Sequence, residues 1–452
     1  MTEILLPISD PQGTDSEMLD LLLRETFDYF VHETTLQTGL VPDSTQPGSP
    51  VSVAVMGLTL SCYTVGVEHN LISRDEAIKR TLAVLRFFDR SPQGTEPTAT
   101  GYQGFYYHFI DRHTGARAWG SEVSTIDTAL FIAGVLQSAQ YFNRDHAGDR
   151  EIRELADALY RRINWQWALN GRATLSHGWK PECGFLPYHW DRGYNEALIL
   201  YVLAMGSPTL GIGPEGYRQW TATYEIKELC GQRYAYAGPL FIHQMSQLWL
   251  GMKGLRDEFS QAAGWDYFEN SRRATYAQRQ YAIENPHGFA HYGPNGWGFT
   301  ASDGPGPVEL TVADHRRFFY GYVARGAPAD IDDGTISPWA VVASLPFAPE
   351  IVICTIRHAI EKLNLKSKRR LYGFDASFNP TFPDQTHNPH GWVSPWRFGL
   401  NQGPIVMMIE NHRSGLIWRT MGQSRYVVEG LKRAGFRAEP TAEASLPATP
   451  KG

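Results

Sequence analysis

The sequence lacks any run of about 18 consecutive apolar residues, so no membrane-crossing helix is expected. Its longest apolar stretch, Ala197–Met205, is far too short. Positive charge is also scarce: 41 Lys and Arg stand against 47 Asp and Glu, a formal net charge of −6 over 452 residues. No basic block stands out beyond Lys366–Arg370, which argues against nucleic acid as a partner. The four cysteines, Cys62, Cys183, Cys230 and Cys354, are far apart and show no CxxC or zinc spacing, so buried free thiols are expected. HExxH, GxSxG and P-loop patterns are absent, which removes the commonest metal, serine-nucleophile and phosphate-loop signatures. Residues Met1–Gln12 have neither the basic start nor the apolar segment of a secretory signal. The expected location is cytoplasmic for the chain as written, and periplasmic or secreted if a leader has been removed.

Apolar and aromatic residues are plentiful. Hydrophobic residues make up 42% and charged residues 19%, enough to build a large core and to exclude wholesale disorder. Aromatic residues reach 13%, with 13 Trp and 22 Tyr. Two readings fit. The rings can fill a core, or they can line a sugar cleft, where an aromatic face stacks on the C–H face of a pyranose.

Helical periodicity dominates. Thr14–Glu17 and Ser73–Glu76 read as capping boxes, each followed by apolar residues at helical spacing: Leu19, Leu22, Leu23, Phe27 and Phe30, then Ile78, Leu82, Leu85 and Phe88. Further helices are predicted near 52–66, 125–142, 150–164, 194–205, 241–252, 268–283, 336–345, 349–363, 403–412 and 424–434. Strand-like alternation is sparse, and no fixed-length repeat suggests a solenoid. About a dozen helices joined by long Gly/Pro/Trp-rich loops imply an all-α chain, with helical hairpins closed into an (α/α)6 barrel and functional loops at one end. The expected organisation is a flexible segment 1–13, one catalytic domain over 14–436, and a flexible tail 437–452.

Carboxylates concentrate in three segments rich in Gly, Tyr and Trp. The first holds Tyr107, His108 and Asp111, then Glu122 and Asp127. Ser124 is placed to cap the next helix with Asp127 at its third position, where the helix dipole favours the ionised form. Glu122 precedes the cap at a loop mouth, and His108 reads as a hydrogen-bonded histidine rather than a metal ligand. The second segment, Trp190-Asp191-Arg192-Gly193-Tyr194-Asn195-Glu196, runs into an apolar helix and puts Glu196 in its first turn. A carboxyl walled by Tyr and Trp loses hydration, and its pKa rises toward the range a general acid needs. The third contains Asp303 after Trp297, and Asp375 lies later among rings. His243 and Gln244 open a helix and could bind hydroxyl groups.

These segments together resemble the glucoamylase-like family of bacterial proteins, which includes the glycoside hydrolase family 144 endo-β-1,2-glucanases. The resemblance is carried by Gly104–Asp111, Ser121–Thr128, Gly193–Ala197 with Gly206-Ser207-Pro208, Asp266–Thr275 and Trp297–Pro305, and spans about residues 20–435. It implies an (α/α)6 barrel that hydrolyses β-1,2-linked glucan with inversion, as an endo-glucanase or by releasing sophorose, without metal or organic cofactor. The family's Tyr-Asn-Glu-Ala glutamate falls on Glu196, and its Ser-Glu-x-Ser-Thr-Ile-Asp acids fall on Glu122 and Asp127. One position departs: where the family pattern Gly-x-Asp-Gln-Gly-Pro has Asp, this chain has Asn401.

The expected mechanism has Glu196 as acid and a second carboxylate as base, with Asp375 ranked ahead of Glu122 and Asp127. In inverting enzymes the two carboxyls stand about 6.5–9.5 Å apart. Substrate contacts are expected from Tyr107, His108, Asp111, Trp190, Arg192, Tyr194, His243, Gln244, Arg272, Trp297, Asp303 and Asn401. Competing functions are another carbohydrate-active reaction on the same barrel (transglycosylase, exo-glucosidase or sugar epimerase) and a non-catalytic glycan-binding protein.

Overall fold

The structure is a computed structural model that describes residues 13–35, 37–363, 372–383 and 391–438. The basic run Lys366–Arg370, most of the expected N-terminal segment and residues 439–452 lie outside the described residues. Arg437 and Ala438, expected in the free tail, instead pair antiparallel with Leu255–Arg256.

Fifteen helices are formed by the described residues. The first five are α1 (Asp15–His32), α2 (Val53–Glu68), α3 (Arg74–Arg90), α4 (Thr125–Tyr141) and α5 (Ala147–Arg161). The middle of the chain supplies α6 (Leu198–Gly206), α7 (Glu215–Thr221), α8 (Leu240–Gln244), α9 (Glu258–Ala263) and α10 (Tyr267–Glu284). The last five are α11 (Pro338–Ala343), α12 (Pro349–Glu361), α13 (Gly399–Arg413), α14 (Leu416–Met421) and α15 (Arg425–Arg433).

Their sequences sort them into two environments. Along α2 every residue from Val53 to Gly66 is buried, all of α6 is buried, and α4 is buried on nearly every side. A helix apolar all round belongs inside the molecule. By contrast, α3, α5 and α15 each bury a single stripe, such as Ile152, Ala156 and Leu159 in α5. Packing follows this division: α2 lies against α4 and α13, α4 against α6, and α11 against α13 and α8. The one-faced helices cover them, with α1 on α13, α5 on α4, α12 on α11, α10 on α8 and α15 on α6. The α2–α4 crossing is tight because two glycines meet there. A Cβ on Gly57 would lie 2.1 Å from the Leu130 carbonyl oxygen, and one on Gly134 would lie 2.0 Å from that of Gly57.

Thr14 forms the expected capping box on α1, and Ser73 caps α3. Three expectations need correction. The stretch predicted as one helix over 241–252 breaks into α8 and a 3₁₀ turn at Ser246–Leu248. The chain is helix-rich rather than all-α, because its loops carry short antiparallel strands. The largest sheet has five, in the order Gly101–Tyr102, Phe105–Tyr107, Val123–Ser124, Gly178–Lys180 and Gly184–Phe185. Strands of two or three residues are too short to leave an alternating pattern in sequence. All four cysteines are free, but only Cys62 is buried; Cys183 and Cys354 are exposed.

Candidate active site

The five-stranded sheet and its neighbours hold the first acidic segment over the starts of α2 and α4. Val51–Ser52 pairs with Phe109–Ile110, and the Val53 amide donates to the His108 carbonyl (3.1 Å). The Val123–Ser124 strand leads directly into α4, whose first turn is capped as the sequence predicts: the Asp127 amide donates to Ser124 Oγ (3.2 Å), and Ser124 Oγ–H donates to Asp127 Oδ2 (2.5 Å). His108 sits between two carboxylates, with Nδ1 3.0 Å from Glu122 Oε1 and Nε2 3.7 Å from Asp127 Oδ2. Burial disfavours its charge, but Asp127, Glu122 and Asp43 together outweigh burial and hold the imidazole up at about 9. The bond from His108 in turn holds the Glu122 carboxyl below its ordinary range.

Glu196 comes from the second segment. It lies just before α6, whose helical residues begin at Leu198, rather than inside its first turn. The turn is fixed from both sides: Asn195 Oδ1 accepts from the Ala197 amide (3.0 Å), and Ser246 Oγ–H donates to the Glu196 carbonyl (2.7 Å). The Glu196 side chain keeps partial access to solvent while protein surrounds it. Burial, with a further push from the charge of Asp127, raises its carboxyl to about 7, although a bond to its own backbone opposes the shift. At neutral pH such a group is protonated about half the time, as a general acid requires.

The same electrostatic neighbourhood includes two acids from elsewhere. The Tyr322 ring, 60% exposed, is acted on by Asp43, Asp303 and Asp127. Asp303 is oriented by Ser394 Oγ–H on Oδ2 (2.8 Å) and the Gly304 amide on Oδ1 (3.0 Å). The loop carrying Tyr322 is anchored by Arg325, which is 1% exposed, binds Asp333 through two nitrogens, and donates to the Tyr320 and Gly321 carbonyls. Two more exposed rings belong to this loop layer. Trp119 packs 4.9 Å (centroid to centroid) from Phe109, which stacks on His108, and Tyr188 lies 6.0 Å from His177.

Other expected site residues are placed differently. Asp375 is 1% exposed, with Oδ1 2.5 Å from Arg397 Nη2, so its first rank as base is corrected: a sealed carboxylate presents no face to a water. His243 is 1% exposed; Nε2–H donates to the Ala237 carbonyl (3.0 Å), Nδ1 accepts from Asn270, and burial lowers its pKa to about 4. It stands as a neutral core histidine. Gln244 is equally buried and ties α8 to Ala340 and Ser344 of the α11 region. Trp297 and Tyr107 are fully buried, Trp297 donating to Thr355 and Tyr107 packed under the Arg117 guanidinium. Tyr194 is 6% exposed among Tyr224, Tyr267 and His243. Trp190 stacks on His177 and donates to Thr125 at the start of α4. Asp111 holds its own turn through Thr114 and His113. Arg272 pairs with Glu269 and Glu350 on the α10 and α12 surfaces. Arg192 is exposed beside the Glu196 turn, and Asn401 is 5% exposed in the first turn of α13.

Sequence reasoning missed Asp43, Tyr322, Trp119 and Tyr188. Asp43 sits in a Pro-Asp-Ser turn that looks like an ordinary loop, and exposed rings cannot be told from core rings by residue type.

The site's carboxylates thus lie at or beside the starts of mutually packed helices, with Asp127 in the capped first turn of α4 and Glu196 just before α6. The chain belongs to the Glycoamylase family, whose model matches residues 187–425, more than half of its length. It is 27% identical over 454 aligned positions to an exo β-1,2-glucooligosaccharide sophorohydrolase (non-reducing end) of Parabacteroides distasonis, covering 93% of this chain. The chain spans 58% of the length of that curated relative. Among solved structures it matches an endo-β-1,2-glucanase from Chitinophaga pinensis in complex with sophorotriose and glucose, with a TM-score of 0.79, 27% identity, and coverage of 94% of this chain and 99% of that one. It also matches a β-1,2-glucanase from Parabacteroides distasonis, with a TM-score of 0.79, 26% identity, and coverage of 94% and 60%.

Proposed function

We propose that this protein is a glycoside hydrolase that cleaves β-1,2-linked glucan with inversion, acting on oligo- or polysaccharide without a cofactor, and that residues 14–436 work as one (α/α)6 barrel. The helix packing supports the barrel: α13, α2, α4 and α6 are sequential neighbours, and α8, α11 and α13 continue the ring. Ser246, next to α8, spans the remaining gap by bonding Glu196 and Ile199 at the start of α6. The observation that carries the function is Glu196, a partly accessible carboxyl raised to about 7 in a chain alike over most of its length to a β-1,2-glucanase.

In this reading Glu196 gives its proton to the glycosidic oxygen as the bond to the anomeric carbon breaks. Water arrives from the opposite face, so the new C–O bond has inverted configuration. Trp119, Tyr188 and Tyr322 offer faces for sugar rings, and His108 with Glu122 and Asp127 forms a charged, hydrogen-bonding wall for hydroxyl groups. Product analysis on linear β-1,2-glucan tests the function: sophorose or longer β-1,2-oligosaccharides support it, and an unchanged polymer with intact protein refutes it. Asn401 favours a second reading, a glycan-binding protein without turnover, because an amide cannot accept the water's proton. Binding of sophorotriose with no reducing ends released would select it.

A further inference from the structure

Hydrolysis needs a carboxylate that can touch the attacking water. Asp375 is sealed against Arg397, and position 401 is an amide. Glu122 is bonded to His108, Asp127 to Ser124, and Asp303 to Ser394 and the Gly304 amide. Among the described residues, the carboxyls of Asp43 and Glu196 accept no hydrogen bond from another side chain, and both keep partial access to solvent.

The backbone places Asp43 against the start of α13, the helix that carries Asn401. The Gly399 amide, first in α13, donates to the Asp43 carbonyl (2.7 Å), and Asn401 is two residues further along. Ser44 bridges Phe398, the Thr45 amide donates to the Arg397 carbonyl (2.9 Å), and the Arg397 amide donates to Thr45 Oγ1 (3.0 Å). On its other side the Asp43 amide donates to the Pro50 carbonyl (2.7 Å), closing a loop whose next residues, Val51–Ser52, enter α2. Asp43 thus stands at the starts of α13 and α2, Asp127 at the start of α4 and Glu196 at the start of α6. The charge of Asp127 acts on both Asp43 and Glu196. Because α13 packs on α2, α2 on α4 and α4 on α6, the helix start that carries Asp127 comes between those beside Asp43 and Glu196.

We propose that Asp43 is the catalytic base, taking a proton from the water that attacks the anomeric carbon. The assignment rests on the hydrolytic reading above. In the step, a water lone pair forms the new bond to the anomeric carbon and the water's proton passes to the Asp43 carboxylate. The glycosidic C–O electrons leave with the oxygen, which takes the Glu196 proton. Both carboxyls return to their starting states by exchange with solvent. Burial raises the Asp43 carboxyl to about 6, with His108 lowering it and Asp127 raising it, which leaves it ionised yet basic near neutrality.

The experiment compares wild type, Asp43→Asn, Asp43→Ala and Glu196→Gln on linear β-1,2-glucan, with sophorotriose binding measured by calorimetry. Asp43 binds its neighbours through main-chain atoms, so Asp43→Asn should fold. It should bind sophorotriose within about threefold of wild type and lose about 10²–10⁴ in kcat. Asp43→Ala should recover turnover in azide on a β-sophorosyl fluoride, giving the α-glycosyl azide, which a merely structural role would not produce. Asp43→Asn turnover within about fivefold of active wild type, or no azide product from an Asp43→Ala protein that binds sophorotriose normally, overturns the assignment alone. An inert wild type overturns the hydrolytic reading and this assignment with it.

Discussion

His108 Nδ1 lies 3.0 Å from Glu122 Oε1, an imidazole–carboxylate pair beside the start of α4. The ring is charged well beyond its ordinary range, at about 9, because Asp127, Glu122 and Asp43 overcome its burial. Linkage fixes the sign. The folded pKa is above the ordinary 6.5, so the pair's contribution is complete below about pH 6.5 and is lost as pH rises through 9. His108→Gln should therefore be less stable than wild type by about 1–3 kcal/mol at pH 6, and the gap should close above pH 9. Thermal melts at pH 6 and pH 10 check this; an equal gap at both pH values would contradict it.

The pH dependence of kcat/KM should be bell-shaped. Asp43, faced by His108 and Asp127, must be ionised, and Glu196, faced by Asp127, must be protonated. Their values of about 6 and about 7 place the optimum between them, with apparent limbs belonging to the coupled set. His108→Gln removes the charge that lowers Asp43, so the acidic limb should move to higher pH. A limb that stays in place would separate His108 from the base.

Glu196→Gln keeps the shape of the acid without its proton. Turnover of natural glucan should fall by about 10²–10⁴ while sophorotriose still binds. An aryl glycoside with a good leaving group needs little protonation, so on such a substrate, if accepted, the variant should regain much of its rate. Near-normal turnover of glucan by Glu196→Gln would rule out the acid assignment.

Arg325 and Asp333 form a bidentate pair with both side chains at 1% exposure or less. Removing one partner strands a buried charge, so Arg325→Met should cost about 3–5 kcal/mol. The same change frees the Tyr320 and Gly321 carbonyls and loosens the loop bearing Tyr322. Denaturant unfolding measures the first effect, and a weaker affinity for sophorotriose would report the second. A loss under about 1 kcal/mol would contradict the pairing's structural weight.

Much of this organisation is legible in the sequence because it is local. Thr14, Ser73 and Ser124 announce helix starts within four residues, and the predominantly apolar sequences of α2 and α6 fit burial on all sides. Glu196 and Asp127 stand out because each precedes or opens such a helix. What escaped depends on contacts distant in sequence. Asp375 and Asp43 look alike as loop aspartates; the Arg397 guanidinium pairs with Asp375 and seals it, while the Asp43 carboxyl stays partly accessible. His243 was expected in the cleft because it sits near a helix start, yet Asn270 and the Ala237 carbonyl hold it in the core. The five-stranded sheet was invisible because its strands are shorter than any period they could display.

The central claim, inverting hydrolysis of β-1,2-glucan, is tested most directly by following the anomeric proton of the first-formed product by NMR on linear β-1,2-glucan. Attack by water opposite the departing oxygen should give the α-anomer of the new reducing end first, with the β-anomer appearing only as mutarotation proceeds. A β-anomer appearing first, or no cleavage of the polymer by folded protein, would contradict it.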